Sequence, residues 1–166
     1  TTLMNERAAI GGGFGQMDVS LAMSVAEEVE IDGRPALEDS AVRARIANWY
    51  VQEAGLKYTG YRSLTALSRG ALPGPENSIG KLVGAPKMQA MSSYLMDLLG
   101  ASGAIADESL AAKAGIIQRA YMGAPGLRIA GGTDEIMANI IAERVLGLPQ
   151  EPRLDKGIPF NEVPTG

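Results

Sequence analysis

From Asp39 to Ala71 apolar residues return at helical spacing through Val42, Ile46, Trp49 or Tyr50, Leu56, Tyr61, Leu64 and Leu67. At about 1.5 Å per residue a helix of this extent is about 50 Å long. An apolar stripe of that length is buried only against helices of comparable length, so this one segment already commits the chain to helix-on-helix packing.

The flanking segments agree. Thr2 to Val29 reads as one helix with Leu3, Ile10, Met17, Leu21 and Val25 on its inner face, despite Gly11, Gly12, Gly13 and Gly15. Four interior glycines cost roughly 1 kcal/mol each relative to alanine, and close packing of another helix or a cofactor is the expected compensation. A turn at Asp32-Gly33-Arg34-Pro35 precedes the long helix. A third helix is predicted from Glu76 or Asn77 to Leu99, kinked at Pro86, and a shorter fourth from Asp107 to Tyr121. Gly123-Ala124-Pro125-Gly126 reads as the connection to a fifth, which opens at Gly131-Gly132-Thr133. No window alternates polar and apolar residues long enough to suggest a strand. The predicted fold is all-α: an antiparallel up-and-down four-helix bundle with an additional C-terminal helix. It divides into a bundle domain over residues 1–149 and an extended tail over 150–166.

Composition removes several classes of chemistry. The 166 residues contain no cysteine and no histidine, which excludes disulfides, thiol nucleophiles and imidazole bases and leaves little for a transition metal; no metal site is expected. Any proton transfer falls to carboxylates, lysine or tyrosine. A net charge of −4 without a basic cluster argues against nucleic acid as a partner. No apolar run reaches the roughly 18 residues that span a bilayer, and there is no signal-peptide layout, so no membrane insertion and a cytoplasmic location are expected. The opening at Thr1, without an initiator Met, reads either as a piece of a larger parent or as a short subunit with its start removed.

The segment from Arg128 to Pro149 concentrates the chemistry. Gly131 and Gly132 let the backbone bend and approach a ligand, and Thr133 can cap the following helix with its hydroxyl. The free N–H groups of that helix mouth suit a phosphate, a carbonyl or a flavin hydroxyl. An ordinary capped helix is the alternative reading.

This segment resembles the last helix of the acyl-CoA dehydrogenases, and the likeness runs from the turn through Glu135, Ile136, Asn139 and Glu143 to Gly147. Leu3 to Gly15 is similar to the opening helix of that family's C-terminal domain. Pro73 to Gln89 is similar to its PGPE-like turn and a helix beginning Ser-x-x-Lys. The resemblance implies the C-terminal helical domain of an FAD-dependent enzyme that desaturates an acyl-CoA thioester at its α and β carbons. A glutamate takes the α-proton, a hydride goes to N5 of FAD, and electrons pass to an electron-transfer flavoprotein. Subunits of the family pack through this bundle into oligomers, so a homo-oligomer, or a mixed tetramer with a related subunit, is implied.

The resemblance also carries individual positions. Many members place the catalytic glutamate immediately before the Gly-Thr of the terminal turn, where this chain has Gly131. Others place it in a Glu-Arg pair on the opening helix, and Glu6-Arg7 matches them. Glu6 is therefore the candidate base and Arg7 a candidate substrate contact. The plain alternatives are a carboxylate complementing a helix dipole and a solvated cation. Gly132, Thr133 and Glu135 match cofactor-contacting positions, and Gly131 lies where the thioester is expected. Two flavin-gripping segments depart from the pattern: VEIDGR stands where Arg-x-Gln-Phe-Gly is usual, and AYMGAPGLRIAGGT lacks the Gln-x-x-Gly-Gly-x-Gly element. A non-catalytic assembly subunit of a mixed oligomer is accordingly the rival reading. The glycine cluster at Gly11 to Gly15 follows no strand and lacks a Gly-Lys-Ser/Thr ending, which favours helix packing over a nucleotide loop. Met88, Met91 and Met96 read as core filler, and Lys113 and Arg119 as solvated charges.

Overall fold

A computed structural model describes residues 17–71, 74–150, 152 and 157–163. The architecture is the expected all-α bundle with a fifth helix. Among the described residues the α-helices are α1 (Val19–Glu28), α2 (Ser40–Ser68), α3 (Asn77–Leu99), α4 (Ile116–Ile129) and α5 (Asp134–Arg144). Central helix α3 packs against each of the other four. Met91 and Leu95 of α3, Ile117 of α4, Met137 of α5 and Val25 of α1 are all essentially inaccessible to solvent. Each such side chain contributes about 1.5–3 kcal/mol of burial energy. Met88 and Met91 are core residues, as read from the sequence.

Asp18 fixes where α1 begins. Its backbone is extended (φ −106°, ψ 174°) and its carboxylate accepts from the Leu21 N–H at 2.9 Å, the geometry of an N-cap. A single helix from Thr2 to Val29 is thereby overturned, because an aspartate bonded to the backbone ahead of it competes with helix continuation. The residues before Met17, including the glycine cluster, lie outside the described residues.

Between α1 and α2 the chain forms a two-residue antiparallel hairpin, Glu30–Ile31 (β1) with Arg34–Pro35 (β2), which was not expected from the sequence. Asp32 and Gly33 both have positive φ, at 52° and 75°. That pairing matches the right-handed twist of paired strands, and Asp-Gly is among the sequences that adopt it readily.

The long helix α2 starts as predicted, with Asp39 capping the Ala41 and Val42 N–H groups at 2.8 and 3.1 Å. Only its first half buries the predicted stripe: Val42, Ile46 and Trp49 are core, whereas Tyr61, Leu64 and Leu67 are exposed in the single chain. Further along, α2 meets α3 through Ser63, whose hydroxyl bonds Asn77 Oδ1 at 2.7 Å.

The fourth helix is displaced from its expected range. Asp107 to Gly115 forms turns, because Lys113, Ala114 and Gly115 have φ of 52°, 50° and 71°, incompatible with a right-handed helix. The helix then runs from Ile116 straight through Gly123-Ala124-Pro125-Gly126 to Ile129. Burial outweighs local propensity here, since Ala120 and Ala124 pack into the core and hold Pro125 within the helix. Lys113 is also less solvated than expected. Its ammonium donates to Ser24 Oγ at 2.7 Å and pairs with Glu28, tying the strained turn to α1. The Lys113 bond is the main reason the Glu28 carboxyl sits below its ordinary range. Arg119, half exposed, pairs with Glu108.

Two lysines of α3 are buried, Lys81 and Lys87. Lys87 donates to Glu53 Oε2 at 2.8 Å, and the same oxygen accepts the Val19 N–H at 3.1 Å. One carboxylate thus joins α1, α2 and α3. Among the described residues no helix is long and apolar enough to cross a membrane.

Candidate functional site

The Gly131-Gly132 turn joins α4 to α5. Both glycines have positive φ, at 66° and 114°, values that disfavour any side chain. Gly132 N–H donates to the Ile129 carbonyl at 3.2 Å, closing the turn. Thr133 then caps α5 from an extended backbone, its hydroxyl oxygen accepting from the Ile136 N–H at 3.4 Å. The expected cap is therefore present, at the long end of hydrogen-bonding distance. Beyond the end of α5 at Arg144, Gly147 has a φ of 70° that lets Leu148 N–H return to the Ala142 carbonyl at 2.9 Å.

Thr133 and Glu135 act together. The Thr133 hydroxyl beside it, with the residue's own backbone N–H and the Arg128 charge, holds Glu135 below the usual carboxylate range against a desolvation that acts the other way. A carboxylate kept ionised in this way is a hydrogen-bond acceptor and a poor proton acceptor near neutral pH.

The sign of the resulting pH dependence follows directly. Glu135 titrates lower in the folded protein than in the unfolded chain, where the value is about 4.3. Its contribution is present above that value and is lost as pH falls through the lower folded value. Thr133→Val is expected to raise the Glu135 midpoint toward about 4.3 and to cost about 0.5–1 kcal/mol at the start of α5. Carboxyl carbon NMR of the glutamates reads the midpoint, and an unchanged value in the variant would remove Thr133 as the cause.

Arg128, Asp134 and Gln89 complete the surroundings and were not singled out from the sequence. Arg128 Nε donates to Asp134 Oδ2 at 2.7 Å, its Nη2 pairs with the same oxygen, and its Nη1 donates to Gln89 Oε1 of α3 at 3.0 Å. The available signal was the spacing: a cation and a carboxylate bracketing two glycines. Arg128 and Gln89 also line an open groove of about 550 Å³ between α3 and α4, with Pro86, Tyr121 and Pro125 on its walls.

The structure thus brings Gly131, Gly132, Thr133 and Glu135 together at one helix mouth, while Glu6 and Arg7 lie outside the described residues. A bundle whose last helix opens on a glycine hinge defines a helical domain that presents a helix mouth and the carboxylates of Asp134 and Glu135 at a single edge. The family whose sequence pattern matches residues 1–146 is described as acyl-CoA dehydrogenase, C-terminal domain. The chain belongs to that family.

Among curated relatives, acyl-CoA dehydrogenase FadE34 of Mycobacterium tuberculosis is 29% identical over 150 residues, covering 90% of this chain and 19% of the relative. Among solved structures, one titled Tcur3481-Tcur3483 steroid ACAD superposes with a TM-score of 0.74 at 26% identity, over 91% of this chain and 39% of that one. The ChsE4-ChsE5 complex from Mycobacterium tuberculosis has the same fold, with a TM-score of 0.66 at 22% identity over 87% of this chain and 36% of its counterpart. The chain therefore spans about a fifth of that curated relative and under two-fifths of the solved ones.

Proposed function

We propose that residues 1–149 form the C-terminal domain of a flavin-dependent acyl-CoA dehydrogenase, with 150–166 as its extended tail, and that the Gly131 to Glu135 turn faces flavin and thioester. The observation that carries this reading is the turn itself. Two glycines in left-handed conformation open a capped helix inside a segment matched to the family.

The residues present fit a flavin, and they favour one part of it. Around the turn Arg128 contributes one positive charge against Asp134 and Glu135, so the edge is slightly acidic. An acidic edge with backbone donors suits hydroxyls and carbonyls and repels a pyrophosphate. In this reading the Thr133 N–H offers a donor, Gly132 lets the flavin approach the backbone closely because it has no side chain, and ionised Glu135 accepts from a hydroxyl. When bound, FAD accepts the hydride. Glu6 removes the α-proton, Arg7 holds the acyl-CoA, and Gly131, without a side chain, leaves the thioester room to approach. The reading includes an electron-transfer flavoprotein as the electron acceptor.

A second reading rests on a specific observation. Gly131 stands where many family members carry their base, and Tyr58, Tyr61, Leu64, Leu67, Ile129 and Leu146 expose apolar surface suited to a neighbouring subunit. A non-catalytic assembly subunit of a mixed oligomer would show both features.

One experiment separates the two. The full-length protein is co-expressed with any dehydrogenase-like subunit found encoded beside it. Bound flavin and turnover are then measured for wild type and Glu6→Gln on a straight-chain acyl-CoA and a steroid acyl-CoA, the latter suggested by the steroid relative. The enzyme reading expects turnover to fall by about 10²-fold or more with flavin retained. An unchanged rate in the variant assigns the chain to assembly.

A further inference from the structure

The hinge that the proposed site depends on is, by composition, the most pliable point of the α4–α5 connection. Two adjacent glycines at φ 66° and 114° have many conformations to choose from, and a helix mouth on such a linkage aims its donors only if something outside the glycines restrains it. Arg128 and Asp134 stand on either side of that linkage. The guanidinium directs Nε and Nη2 onto the single oxygen Asp134 Oδ2, closing a loop around Gly131 and Gly132. Its third contact, Nη1 to Gln89 Oε1, fastens the closed loop to α3, the helix on which the whole bundle packs.

We infer that Arg128 is a positioning residue: its clasp on Asp134 and Gln89 sets the angle at which α5 presents Gly132, Thr133 and Glu135 to a bound flavin. This rests on the proposed function for its consequence and on geometry alone for the clasp. Three features separate it from an ordinary surface ion pair. The bonds bracket a hinge, where an ion pair within one helix would restrain nothing. Asp134 is largely buried, its side chain 17% exposed, and its Oδ1 is buried without a partner among the described residues, so among those residues Arg128 is the cation that pairs with the charge. The planar guanidinium reaches two acceptors on two helices from one position, a geometry a lysine ammonium does not reproduce. Glu135 is poised by the same arrangement, since the Arg128 charge is one of its stabilising neighbours.

The test uses the full-length protein with its co-expressed partner subunit and compares Arg128→Lys and Asp134→Asn with Arg119→Lys, a control at the Arg119–Glu108 pair, which lies at the opposite end of α4 from the Gly131-Gly132 turn. Amide exchange is followed by mass spectrometry in peptides spanning residues 128–137 and in α3, together with flavin retained through gel filtration. Positioning predicts that both clasp variants speed exchange of the turn by about tenfold with α3 unchanged, while the control changes neither. Flavin is expected to dissociate several-fold faster from the clasp variants. Unchanged turn exchange in both variants overturns the inference. So does a parallel rise in every peptide, the mark of a general loss of stability. If the wild-type complex holds no flavin while the turn still loosens selectively, the clasp stands and the flavin reading falls.

Discussion

Trp49→Ala is expected to destabilise the bundle by about 3–5 kcal/mol, among the largest effects of any single substitution in the chain. The indole is buried between α2 and α3, and its ring meets Tyr94 edge to face at 5.6 Å between centroids. Such a pair adds about 0.5–1.5 kcal/mol beyond the area buried. Tyr94 is itself covered by the Arg45 guanidinium, 4.6 Å from the ring centre, so truncating Trp49 loosens a stack of three side chains. Its neighbour Tyr50 is 63% exposed, and Tyr50→Ala is expected to change stability by no more than about 0.5 kcal/mol. Urea unfolding of the two variants in the full-length protein, at two protein concentrations, checks the contrast. Equal losses from both would place the helix in a different rotation about its axis.

That contrast shows what the sequence could and could not decide. Helical periodicity over Asp39 to Ala71 is strong enough to establish a long helix, and the capping Asp39 marks its start to within a residue. Trp49 and Tyr50 are both aromatic and one residue apart, so periodicity alone left the choice between them open. Position in the tertiary structure decided it. The same holds for α4. Gly123-Ala124-Pro125-Gly126 carries every local sign of a turn, yet Ala124 is wholly buried against the core and the helix runs on. Conversely, Lys113 and Ala114 carry no local sign of left-handed backbone and adopt it. Where a short-range interaction governs, the reading succeeds: the Thr133 cap involves residues three apart in sequence. Where the partner is distant, as for Arg128 and Gln89 or for Lys87 and Glu53, composition and spacing hold no trace of the pairing.

The Glu53–Lys87 pair carries the second large prediction, one in which the two partners differ sharply. Glu53→Ala leaves the Lys87 ammonium, with a side chain only 6% exposed, without its acceptor, and removes the acceptor of the Val19 N–H at the start of α1. Breaking a fully buried pair this way costs about 3–5 kcal/mol. The Glu53 side chain is 39% exposed, so solvent recovers part of the loss and about 2–3 kcal/mol is expected here. Lys87→Met removes the charge along with the need to pair it. Glu53 then keeps its contact with water and with Val19, and a change within about 1 kcal/mol is expected. The double variant should therefore be more stable than Glu53→Ala alone, a non-additivity that independent sites do not show. Denaturant midpoints of the three variants in the full-length protein measure this. Equal losses from the two single variants that add in the double one would mean that the carboxylate serves α1 alone and that Lys87 finds enough solvent at its end of α3 to need no partner.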